Sequence, residues 1–210
     1  MQPHNLTDLF SSSLAESQLS AKQQAVLKAS LNLFSEQGFD RTSTKDIAQL
    51  AGVSEGTVDK QFKTKEGIRQ ALLAPMIQHV IPSAFTEFIH EVGEQHLPDL
   101  HTFLTFIVHN RMAFAIANQA QLRILAATLL QDAALSHALA EKFQKQFMDK
   151  AIHLLAIYQQ EGALVDWPLT RILRYIFGTI LSYLLPVVLG MQSSFDLETA
   201  VSEAVAFLER

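Results

Sequence analysis

The sequence predicts an all-α protein: a three-helix helix-turn-helix domain followed by a larger helical domain. Three observations predict this. Apolar residues recur at three- and four-residue spacing along most of the chain, no segment alternates like a strand, and Ser-x-x-Gln and Ser-x-x-Asp pairs stand where apolar stripes begin. A chain of 210 residues, 49% apolar and without internal repeats, can bury a substantial core.

Residues 1–19 are polar and serine-rich, with no basic start followed by an apolar run, so they do not read as a secretory signal and are expected to be a flexible tail. Ser20 and Gln23 have capping-box spacing and open a helix whose apolar stripe is Val26, Ala29, Leu33 and Phe34, with Gly38 ending it. Ser43 and Asp46 cap the next helix, which starts near Thr44. Ile47, Ala48 and Ala51 share one face, and Ala48 is small enough to let a second helix cross closely. Gly52 supplies the positive φ of a tight turn, Val53 fills the space between the helices, and Ser54 caps a short helix over 55–61. Val58 and Phe62 point that helix inward, leaving Glu55, Thr57, Asp59, Lys60 and Gln61 free to face outward. A short helix held by its apolar face, with polar residues at its N-terminal end, is the form that enters a DNA major groove.

The next helix covers 64–81 and is expected to kink or break near Pro75, a possible hinge, because proline removes a backbone donor and clashes with the preceding turn. Further helices are expected over 83–94, 98–118, 120–130 and 133–161, with Gly162 closing the last and Pro168 opening one over 169–189. Residues 175–191 carry no charge, but seventeen residues interrupted by glycine and proline fall short of the roughly 20 a membrane span needs. A final helix over 196–209 has a wide stripe of Leu197, Ala200, Val201, Ala204, Val205 and Leu208. Two helices with surplus apolar surface, repeated by a two-fold axis, would form an intersubunit four-helix bundle; a buried hairpin within one chain fits the same pattern.

The run Ala29–Phe39, then Thr44-Lys-Asp-Ile-Ala, Ala51-Gly-Val-Ser-Glu-Gly-Thr57, Phe62 and Lys63-Thr-Lys-Glu66, resembles the N-terminal domain of TetR-family transcriptional regulators. The resemblance covers about a quarter of the chain. It implies a homodimer joined through the last two helices, a palindromic double-stranded DNA operator, a cytoplasmic repressor and a small-molecule effector site in the C-terminal domain. The corresponding layout is a tail over 1–19, a DNA-binding domain over 20–66 with a connector helix to about 81, and an effector-binding and dimerisation domain over 67–210.

For DNA contact the candidates are Thr44 and Lys45, then Ser54, Glu55, Thr57, Asp59 and Lys60, then Lys63 and Lys65. Thr44 and Lys65 stand at helix N-termini, where backbone amides and a side chain can share a phosphate. The pattern departs from the family at Asp59 and Gln61, where aromatic residues that touch the DNA backbone are usual. An acid near a phosphate costs about 1 kcal/mol when well screened. Asp59 would then accept from a cytosine amino group or pair with Lys60 or Lys63, or else DNA binding is weak or lost.

The net charge of −5 is unevenly placed. Residues 1–74 hold eight basic and eight acidic side chains, whereas residues 75–210 hold eight and thirteen. Phosphate binding must therefore use placed groups as well as lysines. In the C-terminal domain Phe106, His109, Asn110, Phe114, Phe143, Phe147 and Tyr175 are candidates to line a largely apolar pocket with a few polar handles.

No cysteine is present, which excludes disulfides and zinc-thiolate sites and suits a reducing compartment. His90-Glu91 with Glu94 and His96 lacks the i, i+4 histidine pair of a metal helix. With no phosphate loop, nucleophile elbow or carboxylate pair, neither catalysis, a metal nor a cofactor is expected.

Overall fold

The computed structural model describes residues 5–95 and 97–209, and the chain is all-α. The helices are α1 (Leu6–Ala15), α2 (Ala21–Gln37), α3 (Thr44–Ala51), α4 (Glu55–Phe62), α5 (Lys65–Pro75), α6 (Ile81–Glu94), α7 (Leu100–Ala117), α8 (Gln119–Leu129), α9 (Ala133–Phe143), α10 (Asp149–Gln160), α11 (Leu169–Val188) and α12 (Leu197–Leu208). Single π turns, Met76–Val80 and Gln144–Met148, lie between α5 and α6 and between α9 and α10. The described residues divide into two compact units, one holding 5–84 and 120–140, the other 85–119 and 141–209.

In the first unit α2 to α5 pack around Val26, Leu27, Phe34, Ile47, Ala48, Val58, Ile68 and Leu72, all nearly or fully inaccessible to solvent. The expected tail is largely helical. Asn5 caps α1 by accepting from the Thr7 amide, and Leu6, Phe10 and Leu14, spaced by four, make a stripe that is fully buried against α2, α5 and the first π turn. Serines occupy the other faces, so the composition looked polar while the stripe was apolar. Residues 1–4 lie outside the described residues.

At Pro75 the chain keeps helical dihedrals and passes into the π turn, whose last bond runs from the Ile81 amide to the Met76 carbonyl. Pro82 follows at once and has no amide to give to Gln78. The wider π register thus sits between two prolines that each disrupt the α ladder, so the expected kink is a change of helical register. The unit boundary accordingly falls at residue 84, beyond the expected 66, and residues 120–140 join the N-terminal unit.

In the second unit α7 packs on α11 and α12, and α11 on α10. Val108 and Met112 of α7, Leu155 of α10, Ile172 and Ile176 of α11 and Val201 and Ala204 of α12 belong to one core. Tyr158 caps this core by donating its hydroxyl to the Leu97 carbonyl at 2.9 Å. Among the described residues α11 is long and apolar enough to cross a membrane by length and composition. Within its unit, however, it is a packed helix with one face uncovered: Phe177, Leu181, Leu185 and Leu189, spaced by four, are each at least 39% exposed, as is Phe207 of α12.

Candidate DNA-binding surface and ligand cavity

The candidate DNA-binding surface is assembled by local capping. Ser43 and Asp46 form the expected box at the start of α3, and hydrogen bonds from Ser43 hold the Asp46 carboxyl below its ordinary range. α3 stops at Gly52, in the left-handed region with φ 67° and ψ 31°, and the Val53 amide bonds back to the Ala48 carbonyl at 3.0 Å. Ser54 then caps α4, its Oγ accepting from the Thr57 amide and lying 2.9 Å from Thr57 Oγ1. Val58, 1% exposed, anchors the inner face of α4, while Glu55, Gly56, Asp59 and Lys60 are exposed. Of the residues expected to face outward, Glu55, Asp59 and Lys60 are exposed, whereas Thr57 and Gln61 are partly buried.

The other DNA candidates are placed less uniformly. Lys45 and Lys63 are exposed and Thr44 is partly buried. Lys63 adopts φ 64° and ψ −46°, the lone positive φ outside glycine among the described residues. The Thr64 amide there donates to the Phe62 carbonyl at 2.7 Å, closing a three-residue γ-turn of the strained, positive-φ kind. Lys65 is already engaged: its ammonium donates to the carbonyls of Phe39 and Asp40, at 2.8 and 3.2 Å, and lies 4.4 Å over the Phe39 ring. It ties the α2–α3 loop to α5, a structural role that competes with the expected phosphate contact. Asp59 makes no ion pair with Lys60 or Lys63. Gln61 is partly buried, and its Oε1 has no hydrogen-bond partner.

The second unit contains an apolar cavity of about 60 Å³. Its walls are Phe85, Phe88, Ile89 and Val92 of α6, Phe103, Ile107 and Arg111 of α7, Phe147 and Met148 of the second π turn, and Leu173, Ile176, Phe177 and Ile180 of α11, with Phe143 and α10 completing it. Phe85, Phe143 and Phe147 form a ring cluster with centroids 4.8 to 5.5 Å apart.

Of the expected pocket residues, Phe143 and Phe147 line this cavity. The other five do not. Phe114 is buried beneath the Arg111 guanidinium, which stands 4.9 Å from its ring, and Phe106 packs on the core. His109 is exposed, with Nε2 3.5 Å from Glu198 Oε1, and Tyr175 is 51% exposed beside Trp167. Asn110 turns its amide to Glu91, donating to Oε2 at 2.9 Å. These five point elsewhere because the helical phase of α7 and α11, set by their packing, gives the cavity Phe103, Ile107, Arg111, Leu173, Ile176 and Ile180 instead. His90 Nδ1 stands 3.5 Å from Glu94 Oε2, and His96 lies outside the described residues.

Arg111 is the charged residue among the cavity-lining side chains that the sequence reading did not name. A signal existed: it is the one Lys, Arg, Asp or Glu in the eighteen residues of α7. Its guanidinium lies 3.8 Å from the Phe88 ring, and its Nε and Nη2 donate to Asn110 Oδ1 at 3.1 and 2.5 Å. Burial pushes its pKa down to about 10, opposed by the nearby Glu91 carboxylate, so it stays charged at neutral pH.

Residues 26–72 match the family model of bacterial regulatory proteins, tetR family. YvkB of Bacillus subtilis, an uncharacterised HTH-type transcriptional regulator, is 43% identical over 49 residues, 23% of this chain and 26% of that protein. The HTH-type transcriptional regulator RutR of Escherichia coli is 41% identical over 59 residues, 28% of each chain. The chain thus covers only about a quarter of the length of these relatives. Solved structures match over most of the chain at low identity and so share its fold: the fatty acid degradation regulator FadR from Bacillus halodurans (TM-score 0.65, 21% identity, 92% of this chain and 97% of that one) and FadR from Bacillus subtilis in complex with stearoyl-CoA (TM-score 0.61, 21% identity, 88% and 96%). Over residues 26–72, then, the chain is similar to the tetR family of bacterial regulatory proteins, and over most of its length it shares the fold of solved regulators of that kind.

Proposed function

We propose that this protein is a cytoplasmic, homodimeric repressor that holds a palindromic operator through α4 of each subunit and is released by a largely apolar small molecule in the second unit. The observation that carries the reading is the outward face of α4, exposed over Glu55, Gly56, Asp59 and Lys60 behind the Gly52 turn and anchored by Val58. Thr44 and Lys45 would add phosphate contacts beside it, as would Lys63. The uncovered stripe of α11 with Phe207 of α12 supplies apolar surface for a two-fold interface. Support for an apolar effector comes from the cavity walls and from FadR, the solved relative in fold that holds stearoyl-CoA.

A cavity of about 60 Å³ is small, since one of about 150 Å³ is what holds a benzene. An effector would therefore bind a state with the walls moved apart, and that differential affinity is what shifts a regulator between conformations. The run from α5 through the first π turn into α6 joins the DNA-binding domain to Phe85 and Phe88 of the cavity wall.

A second reading, a ligand-binding module of the same fold with weak or lost DNA binding, is favoured by the unpaired acid of Asp59 on the face of α4. Selection of the purified protein against a randomised double-stranded DNA library separates the two. A palindromic consensus bound with steep salt dependence is expected; retention of no sequence above background at low salt would overturn the repressor reading.

A further inference from the structure

We infer that the cavity of the second unit takes a ligand with an apolar body and a single carboxylate, and that Arg111 is the residue that binds the acid. This rests on the reading of that cavity as the effector site. Among the described residues lining it, Arg111 is the one with a polar group; it meets the cavity through its carbon atoms, so an acid would reach its nitrogens in the state with the walls moved apart. A purely apolar ligand would have no use for a cation there, and a ligand with several charges would find no second one.

The guanidinium is built to receive an acid. It carries five N–H donors in a planar fork that matches a carboxylate in bidentate fashion. Its hydrogen bonds all run to Asn110 Oδ1, from Nε and Nη2, so Nη1 has both donors uncommitted. No carboxylate of the described chain lies within ion-pair distance of it. Glu91 acts through Asn110 instead, accepting from Nδ2 at 2.9 Å and thereby fixing the amide whose oxygen holds Arg111. Glu91 and Asn110 are positioning residues in this arrangement.

The rings of Phe88 and Phe114, 3.8 and 4.9 Å from the guanidinium carbon, stabilise the cation without neutralising it. Burial makes the charge costly, as the lowered pKa of Arg111 reflects. An entering anion recovers part of that cost. The Phe85, Phe143 and Phe147 cluster would then cover the hydrocarbon part of the ligand.

Calorimetric titration of the full chain with straight-chain carboxylates from hexanoate to octadecanoate, and with primary alcohols of the same lengths, tests this. The carboxylate is expected to bind at least about ten-fold more tightly than the alcohol of equal length. In Arg111→Met, which keeps an unbranched apolar side chain, that preference should vanish, the carboxylate losing more affinity than the alcohol of equal length; Arg111→Lys should retain part of it. Equal affinity of acid and alcohol for the unaltered protein overturns the inference whether or not the variants fold. So does an acid preference that survives Arg111→Met, or failure of the whole series to bind. The DNA selection is read on the same unaltered protein. A selected palindrome with no acid preference sinks acid recognition and leaves the repressor reading standing, whereas an Arg111-dependent preference without selected DNA supports acid recognition and sinks the repressor reading.

Discussion

Gly67 shows how one residue can secure the junction behind the recognition helix. A Cβ built on it would stand 2.2 Å from the Phe62 carbonyl oxygen, a backbone atom that the γ-turn at Lys63 presses toward the first turn of α5. Its amide meanwhile donates to Thr64 Oγ1 at 2.9 Å, so neither neighbour can withdraw without undoing a cap or a turn. Gly67→Ala is therefore expected to destabilise the N-terminal unit by about 1–3 kcal/mol, the usual range for overpacking. Thermal unfolding followed by circular dichroism checks this, and an unchanged melting temperature would show that the junction relaxes freely. No spacing rule announces this glycine, because the clash depends on a strained turn four residues earlier. The structural role of Lys65 was hidden for a similar reason: the carbonyls it binds belong to Phe39 and Asp40, remote in sequence.

Helix termini were legible because a cap is a contact between residues three apart. Ser20, Ser43 and Ser54 cap as expected, and Gly38 and Gly52 end their helices with positive φ. α1 was not legible, since a three-residue stripe of Leu6, Phe10 and Leu14 has meaning only when α2 and α5 are there to cover it. The caps also carry a pH dependence. Hydrogen bonds from Ser43, Thr102 and Thr199 hold the carboxyls of Asp46, Asp99 and Asp196 below their ordinary value of 3.8. A depressed folded-state pKa stabilises the fold fully above the unfolded value and loses that contribution as pH falls through the folded one. The melting temperature should thus decline below about pH 4. The decline should be shallower in a variant carrying Asp46→Asn, Asp99→Asn and Asp196→Asn, because asparagine also caps but does not titrate in this range. An identical slope in both proteins would contradict this account of the caps.

For the whole molecule, the fold class and the resemblance of residues 26–72 were legible because the helix-turn-helix is a compact, local code in Ile47, Ala48, Gly52, Val53 and Val58. The cavity was legible only as a domain-level expectation. Its walls come from α6, α7, the end of α9, the second π turn, α10 and α11, and which face each helix turns inward is decided by packing across the unit. Two of seven expected residues line it, and the charge that gives it chemical character, Arg111, stood in the sequence as a lone cation in an apolar helix. The proposed dimer draws on the same helix that walls the cavity: Phe177 of α11 lines the cavity and also belongs to the uncovered stripe. A ligand that moved α11 would then act on the interface directly, and the spacing of the two recognition helices would follow. That spacing is also where the proposed function is most exposed to test. Hydroxyl-radical footprinting of the unaltered protein on a duplex enriched from the randomised library measures it. The account predicts two symmetric protected patches on one face of the duplex, centred about one helical turn or 34 Å apart. A single protected patch, or uniform cleavage along the duplex, would contradict it.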